Sequence, residues 1–256
     1  MSLLEAAGVA RHFGGVKAVD GVDLSVEEGD FYGLIGPNGS GKTTLVDLVS
    51  RFQRADAGRI AFAGQDVTAW PSHRLARTGV ARTFQRVRLF GGLSVLENVL
   101  AGMQQRPGPG TIAEFLAMPA ARSDRAARVE EARALLARVG LPGAGDRTAG
   151  ELAYGQQRRL ELARALALHP RLLILDEPAA GMNEAEMADL GVLFAELHAG
   201  GLTVVLVEHH LRLILDVCTK VAVLNYGRKI ADGTPTEVLR DEAVAEAYLG
   251  TSAVGE

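Results

Sequence analysis

The chain has 256 residues, of which 48% are hydrophobic and 23% are charged, and its formal net charge is −4. This size and composition indicate one large globular domain or two small ones, and the net charge gives no whole-chain sign of nucleic-acid binding. The only cysteine, Cys218, excludes an intrachain disulfide, and the most apolar stretch, 202–207, is too short to span a bilayer. Because the first residues lack the pattern of a signal peptide, we expect a soluble chain with a peripheral membrane role at most.

Short strands are predicted in the first 35 residues, where Val22, Leu24 and Val26 alternate with polar residues. An apolar run at 31–35 leads into the glycine-rich segment Gly36-Pro37-Asn38-Gly39-Ser40-Gly41-Lys42-Thr43-Thr44, and an amphipathic stretch follows. A strand, this glycine-rich turn and a helix together predict a phosphate-binding loop. Backbone N–H groups would hold the phosphates, Lys42 would reach the β- and γ-phosphates, and the Thr43 hydroxyl would bind Mg²⁺. The alternative is a loop that only turns a strand into a helix.

The next elements are a helix and two further strands. We expect a helix after the loop with Leu45, Leu48, Val49 and Phe52 on one face. A turn at 57–58 introduces a strand at 60–62, so antiparallel strands flank the loop. Another strand is predicted at 81–85, ending on Gln85.

A mostly helical segment is predicted from 86 to 165. Ser94 and Glu97 form a capping-box pattern, and the prolines and glycines at 105–110 predict a loop. A helix carrying Val129, Ala132, Leu136 and Val139 should stop at Gly140. We therefore expect a single domain with an α/β core, 1–85 and 166–256, and a helical insert, 86–165.

The α/β pattern returns with the buried strand at 172–175, the helix that ends near Gly200, and the strand at 203–207. A second capping box begins at Thr234, with proline at the first helical position. Asp176 and Glu177 close the first of these strands, where carboxylates face the ligand crevice of an open α/β sheet. Asp176 would hold Mg²⁺, and Glu177 would polarise the water that attacks the γ-phosphate. The alternative is an acidic pair that caps the next helix.

Five elements in this order resemble the ATP-binding subunit of an ABC transporter. They are the loop 36–44, Gln85, the segment Leu152-Ala153-Tyr154-Gly155-Gln156, the strand ending at Asp176-Glu177, and His209. The resemblance covers essentially the whole chain. It implies a P-loop NTPase fold, that is, an α/β RecA-like core with an antiparallel β subdomain and an inserted α-helical signature subdomain.

The resemblance also implies roles for single residues. Gln85 matches a glutamine that touches Mg²⁺ or the attacking water, and His209 matches a switch histidine that donates to the γ-phosphate. Phe13 matches the aromatic side chain that stacks on adenine, although a core phenylalanine is nearly as good an interpretation. The alternatives for Gln85 and His209 are a polar strand end and a histidine without a role. His210 is interpreted as a surface residue.

The signature segment departs from the commonest family pattern. Ala153 stands where serine is usual and Tyr154 where glycine is usual, which leaves Gly155, Gln156 and the N–H groups of the helix 156–168 to bind an anion. In the family this segment binds the ATP held by a second ATPase subunit, identical or different, in a head-to-tail dimer. Asn183 stands where aspartate is more usual in the loop that crosses that interface.

Four segments resemble the ATPase subunits of branched-chain amino acid importers, namely residues 152–161, 81–85, 93–99 and 247–250. Such an importer has two different ATPase subunits, and the extra segment 104–122 resembles the longer one. His210 is unusual, since an acidic residue usually follows the switch histidine. The implied partners are integral membrane permease subunits and, indirectly, an extracytoplasmic substrate-binding protein, with the chain on the cytoplasmic face of the membrane.

Other functions remain open at this stage. Related systems import urea or other small amides, or export lipopolysaccharide. A soluble ABC-type ATPase of DNA repair, chromosome maintenance or translation would usually carry a long coiled coil or a zinc module, which this sequence lacks. A small-molecule P-loop kinase would leave the signature segment and His209 without a purpose.

Overall fold

The computed structural model describes residues 2–106 and 119–252. The chain forms two compact units, the first comprising Met1–Arg82, Arg171–Ala180 and Glu184–Glu256, and the second Thr83–Pro170 and Gly181–Asn183. The sequence placed the borders of the helical insert at 86 and 165. The structure adds residues 83–85, 166–170 and 181–183 to the second unit.

In chain order the strands and helices are β1 Ser2–Phe13, β2 Val16–Glu27, β3 Phe31–Ile35, α1 Lys42–Val49, β4 Ala57–Phe62, β5 Gln65–Asp66, α2 Ser72–Ala76, β6 Val80–Arg82, α3 Val95–Gly102, α4 Pro119–Arg138, α5 Tyr154–Leu166, β7 Leu172–Asp176, α6 Glu184–Ala199, β8 Thr203–Val207, α7 Leu211–Val217, β9 Lys220–Asn225, β10 Arg228–Gly233, α8 Pro235–Leu239 and α9 Glu242–Ser252. Two short 3₁₀ helices lie at Met103–Gln105 and Ala149–Glu151.

The first unit contains two sheets. The larger has the strand order β10-β9-β3-β8-β7-β6, and all of its neighbouring strands are parallel except β9 and β10. Every residue of β3, β7 and β8 is buried, which explains their continuous apolar sequences. The smaller sheet is antiparallel, in the order β2-β1-β4-β5. The predicted α/β core with an antiparallel addition is therefore confirmed.

Helix α1 connects the two sheets in one core. Its side chains Leu45, Val46, Leu48 and Val49 are buried in a cluster that also contains residues of β1, β2, β4, β7, β8 and β9. Burying one such side chain contributes roughly 1.5–3 kcal/mol relative to exposing it. This packing fixes the start of α1, and with it the glycine-rich loop, against the central strands.

The second unit is helical. Ser94 and Glu97 form the expected capping box at the start of α3, and Gly140, with φ +78°, follows the end of α4. Helices α3 and α5 lie so close that a Cβ on Gly102 would come within 2.5 Å of the Arg164 carbonyl oxygen. Asn98 is fully buried and bonds the backbone of Phe90 through both ends of its amide.

Several predicted boundaries were wrong. Strand β6 ends at Arg82, so Gln85 lies three residues beyond it, and the pair 57–58 belongs to β4 instead of a turn. Phe52 lies after the end of α1 and is 48% exposed, because the helix ends at Val49. Helix α5 begins at Tyr154 and ends at Leu166, two residues earlier at each end than expected.

Two predictions fall on parts of the chain that the structure does not describe. Most of the loop at 105–110, and residues 107–118 of the extra segment at 104–122, lie outside the described residues. Among the helices of the described ranges, none is both long and apolar enough to cross a membrane.

Candidate nucleotide site

Three neighbouring parallel strands end together in the first unit, and each is followed by predicted site residues. Leu34 of β3 and Asp176 of β7 both pair with Val207 of β8, so the three ends lie in register. The glycine-rich loop follows β3, Glu177 follows β7 and His209 follows β8. The carboxyl edge of a parallel sheet is where open α/β folds bind ligands.

The loop can pack against β2 and β9 only because two of its positions lack a side chain. A Cβ on Gly36 would lie 2.1 Å from the Leu224 carbonyl oxygen, and one on Gly41 would lie 2.2 Å from that of Ala18. Both residues also have positive φ, 146° and 104°. Only glycine is free of both constraints.

Helix α1 begins without a side-chain cap, because its N-cap residue is Gly41. The free N–H groups of its first turn and the partial positive charge at the helix start favour an anion. The Ser40 side chain is 2% exposed, and its Oγ has no hydrogen-bond partner among the described residues. Together these features fit a phosphate group.

Lys42 is folded back onto this loop. Its Nζ donates to the carbonyl oxygens of Gly36 at 2.8 Å and Pro37 at 2.9 Å, and the residue is 7% exposed. Burial lowers the pKa of the Lys42 ammonium, while the nearby carboxylates of Glu177 and Asp176 act against this shift. The loop thus holds a desolvated positive charge beside the two predicted acidic residues.

The remaining loop residues are more accessible. Asn38, Gly39 and Thr43 are exposed and Thr44 is half-buried. The Thr43 hydroxyl at the first turn of α1 is therefore open to a ligand, as a residue predicted to bind Mg²⁺ must be.

Asp176 lies in a buried ion-pair network that the sequence did not predict. Arg82 donates to Asp176 at 2.9 Å through Nη2 and to Asp47 at 2.6 Å through Nη1. Burial raises the pKa of the Asp176 carboxyl, and Arg82 opposes that rise. A divalent cation beside this carboxylate would favour its charged form, and the carboxylate of Asp176 and the hydroxyl of Thr43 both offer the oxygen ligands that Mg²⁺ prefers.

Glu177 has an unusual backbone. Its φ is +49°, a region that residues other than glycine rarely occupy, and its N–H donates to the Val207 carbonyl oxygen at 2.9 Å. Such conformations cost about 1–3 kcal/mol and occur most often at functional sites. The bend directs the chain out of β7 at this residue.

The segment after β8 contains a buried carboxylate next to His209. Glu208 is fully buried, and its Oε1 accepts the N–H of Ala179 at 2.9 Å. Its Oε2 accepts Nδ1–H of His210 at 3.0 Å in the tautomer that protonates Nδ1. His210 is therefore a half-buried partner of Glu208, with part of its side chain on the surface as predicted.

Phe13 ends β1 and is 45% exposed, so it is not a core residue. The Arg11 guanidinium lies 4.9 Å from its ring centroid. An exposed aromatic ring with a cation beside it is suited to stacking on a base.

The second unit contains the other predicted site residues, Gln85, Gly155 and Gln156. Gln85 is exposed, and its backbone carbonyl accepts a bond from Arg158 Nη2. Gly155 and Gln156 lie in the first turn of α5, whose N-cap residue, Ala153, supplies no side-chain bond. The first turn of α5 therefore has no side-chain cap, and anion binding there stays a prediction.

Arg158 connects the two predicted segments of this unit. Its Nη1 donates to the Phe84 carbonyl at 2.6 Å, and its Nη2 donates to the Tyr154 hydroxyl at 2.9 Å. Glu161 lies 3.5 Å from Nη1 and accepts the N–H groups of Phe84 and Arg88. Tyr154 therefore has a structural partner that the usual glycine could not have.

Sequence reasoning missed Arg82, Arg158 and Glu208. Each is a charged residue inside or beside a run of apolar residues. A charge at a position predicted to be buried indicates a buried partner, and this was the signal that the sequence offered. Their partners could not be read locally, because the Arg82–Asp176 pair spans 94 residues and the Arg158–Phe84 pair spans 74.

The chain is similar to known proteins along its whole length. The family described as "ABC transporter" matches residues 19–180, and that described as "Branched-chain amino acid ATP-binding cassette transporter" matches 228–254. The chain is 42% identical to the high-affinity branched-chain amino acid transport ATP-binding protein BraF of Pseudomonas aeruginosa, over 97% of this chain and 98% of that protein. It is 39% identical to LivG of Escherichia coli, with the same coverage, and 34% identical to the lipopolysaccharide export protein LptB of Haemophilus influenzae, over 98% of both.

Solved structures agree with these matches. A nucleotide-free ATP-binding cassette from an ABC transporter has a TM-score of 0.84 and 34% identity over 100% of both chains. The ADP conformation of another cassette has a TM-score of 0.83 and 35% identity, over 98% of this chain and 99% of that one. The fold is that of a P-loop NTPase, and the chain belongs to the ATP-binding cassettes of the ABC transporter family.

Proposed function

We propose that this chain is the ATP-binding and ATP-hydrolysing subunit of an ABC importer for branched-chain or other amino acids. The observation that carries the proposal is the register of β3, β8 and β7 at Val207, which gathers the phosphate loop, Glu177 and His209 at one edge of the sheet. The chain would act on the cytoplasmic face of the membrane, bound to a pair of integral membrane permease subunits.

In this proposal each residue has one task. The loop N–H groups and Lys42 bind the phosphates of ATP, and Phe13 stacks on adenine. Asp176 and Thr43 hold Mg²⁺, which would neutralise phosphate charge. Glu177 takes a proton from the water that attacks the γ-phosphorus, and the bond from that phosphorus to the β–γ bridging oxygen breaks. His209 donates a hydrogen bond to the γ-phosphate.

A second ATPase subunit completes the site. By the resemblance, the start of α5 at Gly155 and Gln156 binds the ATP of the opposite subunit. The lack of a side-chain cap at that helix start supports this assignment. ATP binding would then close the dimer, and hydrolysis would reopen it, shifting the permease between two states.

The relatives' names support amino acids as the transported class. BraF and LivG are named as branched-chain amino acid transport proteins, and residues 228–254 match the family of that name. LptB is named for lipopolysaccharide export and is less similar, at 34% identity.

Uptake of radiolabelled leucine by cells lacking this chain tests the proposal. We expect uptake to fall and to be restored by the wild-type chain but not by Lys42→Ala, while glucose uptake is unchanged. Normal leucine uptake in cells lacking the chain and every related cassette would contradict the assignment to amino acids. Reduced uptake of urea, or lipopolysaccharide retained at the inner membrane, would then identify the alternative.

A further inference from the structure

We propose that Glu208, His209 and His210 form a binding site for a divalent transition-metal ion of the Zn²⁺ class, and that the bound ion reduces ATP turnover. The second half of this statement rests on the proposed function, because it needs ATP hydrolysis that depends on His209. The first half rests on the geometry of the cluster alone.

The carboxylate of Glu208 is fixed in position. It is fully buried, its Oε1 accepts the Ala179 N–H at 2.9 Å, and its Oε2 accepts the His209 N–H at 3.1 Å. A ligand that is held before the metal arrives loses little conformational entropy on binding.

Both histidines present a ring nitrogen to the same carboxylate oxygen. Nδ1 of His210 lies 3.0 Å from Oε2 of Glu208, and Nδ1 of His209 lies 3.7 Å from it. Tetrahedral Zn²⁺ with bonds of about 2.0–2.1 Å holds its ligand atoms roughly 3.4 Å apart. The potential ligand atoms of the three residues all lie within 4.8 Å of one another. Small side-chain rotations therefore bring all three to bonding distance.

The ligand set selects the class of ion. Two imidazoles and one carboxylate suit Zn²⁺, Co²⁺, Ni²⁺ or Cu²⁺, whereas Mg²⁺ and Ca²⁺ prefer oxygen ligands. Three protein ligands leave a fourth position for water.

Solvent reaches the cluster. The His209 side chain is 52% exposed and that of His210 is 33% exposed. His210 also lines a cavity of about 800 Å³ between α6 and α7, whose charged lining residues are Glu184, Asp216 and Arg212. An ion can therefore approach the two imidazoles from solution.

Occupation of the site changes His209. Coordination through Nδ1 requires each ring to carry its proton on Nε2, so a neutral imidazole changes tautomer, an imidazolium releases one proton to solvent, and the His209 ring is fixed beside Glu208. A ring held there is no longer free to adjust to a phosphate group. His210 supplies the third ligand, so the effect depends on a residue outside the proposed catalytic set.

Titration of the nucleotide-free chain with Co²⁺ and Zn²⁺ tests the binding. We expect one ion per chain, the visible absorption of four-coordinate Co²⁺, and its loss when Zn²⁺ is added. His210→Asn should weaken Zn²⁺ binding at least tenfold, whereas His73→Asn, which changes an exposed histidine in α2, should not. Equal Zn²⁺ affinity of His210→Asn and the wild type would overturn the site.

ATP hydrolysis at saturating Mg²⁺ tests the consequence. Zn²⁺ at the concentration that fills the site should reduce the rate at least fivefold in the wild type and in His73→Asn, but not in His210→Asn. Filling the site without reducing the rate would overturn the regulatory half. A chain that binds Co²⁺ but never hydrolyses ATP would contradict the proposed function and leave the metal site standing.

Discussion

Lys42 shows how one side chain is prepared for a ligand. Its buried ammonium is held by two carbonyl oxygens of its own loop, so the charge is kept in position at the cost of desolvation. Bound phosphates would replace neutral acceptors with charged ones, and hydrogen bonds between charged groups are the stronger kind.

Lys42→Ala should therefore weaken ATP binding by about 10- to 150-fold, the equivalent of the roughly 1.5–3 kcal/mol typical of a charged hydrogen bond. Isothermal titration calorimetry with ATP measures this loss. Lys17→Ala, which removes an exposed lysine from the same unit, is the control and should bind ATP normally. Equal affinity of the two variants would remove Lys42 from the phosphate site.

Gly36 is required for two separable reasons, its positive φ and the absence of space for a Cβ. Gly64 also has positive φ, 75°, but nothing lies within 4 Å of the position its Cβ would take. Gly64→Ala should therefore cost only the roughly 1–2 kcal/mol of a left-handed conformation. Gly36→Ala should cost more and should also impair ATP binding. Urea unfolding of the two variants, with and without ATP, measures their free energies of unfolding. Equal free energies for Gly36→Ala and Gly64→Ala would contradict the close contact with Leu224.

At the scale of elements, Arg158 ties the start of α5 to the segment that carries Gln85. Its guanidinium is 3% exposed, as is fitting for a residue that bonds two carbonyl groups, a hydroxyl and a nearby carboxylate. Burial raises the pKa of the Glu161 carboxyl, and the charge of Arg158 works against that rise.

Arg158→Met should destabilise the second unit by about 3–5 kcal/mol, because it breaks a buried ion pair and leaves Glu161 with only the weaker interaction with Arg164. Arg133→Met is the matched control, since Arg133 forms an ion pair of the same three-residue spacing with Glu130 but is 63% exposed. That change should cost less than about 1 kcal/mol. Hydrogen exchange of the backbone amides in α3 and α5 measures the loss of stability in both variants. Similar exchange in the two variants would show that the Arg158 network adds no stability.

The capping boxes of α3 and α8 predict a dependence on pH. Bonding to the Ser94 N–H lowers the pKa of Glu97, and bonding to the Thr234 hydroxyl lowers that of Glu237. A lowered folded-state pKa gives stability that is present above the unfolded value, near 4.5, and lost as the pH falls through the folded value. NMR titration should find both carboxyl groups below 4.5. Values at or above 4.5 would mean that the caps are not formed in solution.

The elements also show what local sequence can predict. Both capping boxes, the buried strands β7 and β8 and the glycine-rich loop were predicted, because each depends on residues within one turn or one strand. The end of β6 at Arg82 was missed, because Arg82 is held by Asp47 and Asp176, which are 35 and 94 residues away. The roles of Arg158 and Glu208 were missed for the same reason.

For the whole molecule, the family and the fold follow from similarity along the full chain, whereas the site has to be argued from geometry. Relatives along the full chain are named for branched-chain amino acid transport and for lipopolysaccharide export. The residues at the ends of β3, β7 and β8 are proposed to contact ATP and not the transported molecule, so that molecule has to be identified by uptake experiments in cells. The catalytic assignment is independent of that choice.

The rate of ATP hydrolysis by Glu177→Gln, measured together with its affinity for ATP, tests the central claim most directly. The amide has nearly the same shape as the carboxylate but cannot accept the proton of the attacking water. We predict that turnover falls by about 10²–10⁴-fold, the usual contribution of a general base, while ATP affinity changes less than about threefold. Turnover near that of the wild type would show that Glu177 is not the base and that the carboxyl edge of β7 does not carry the chemistry proposed for it.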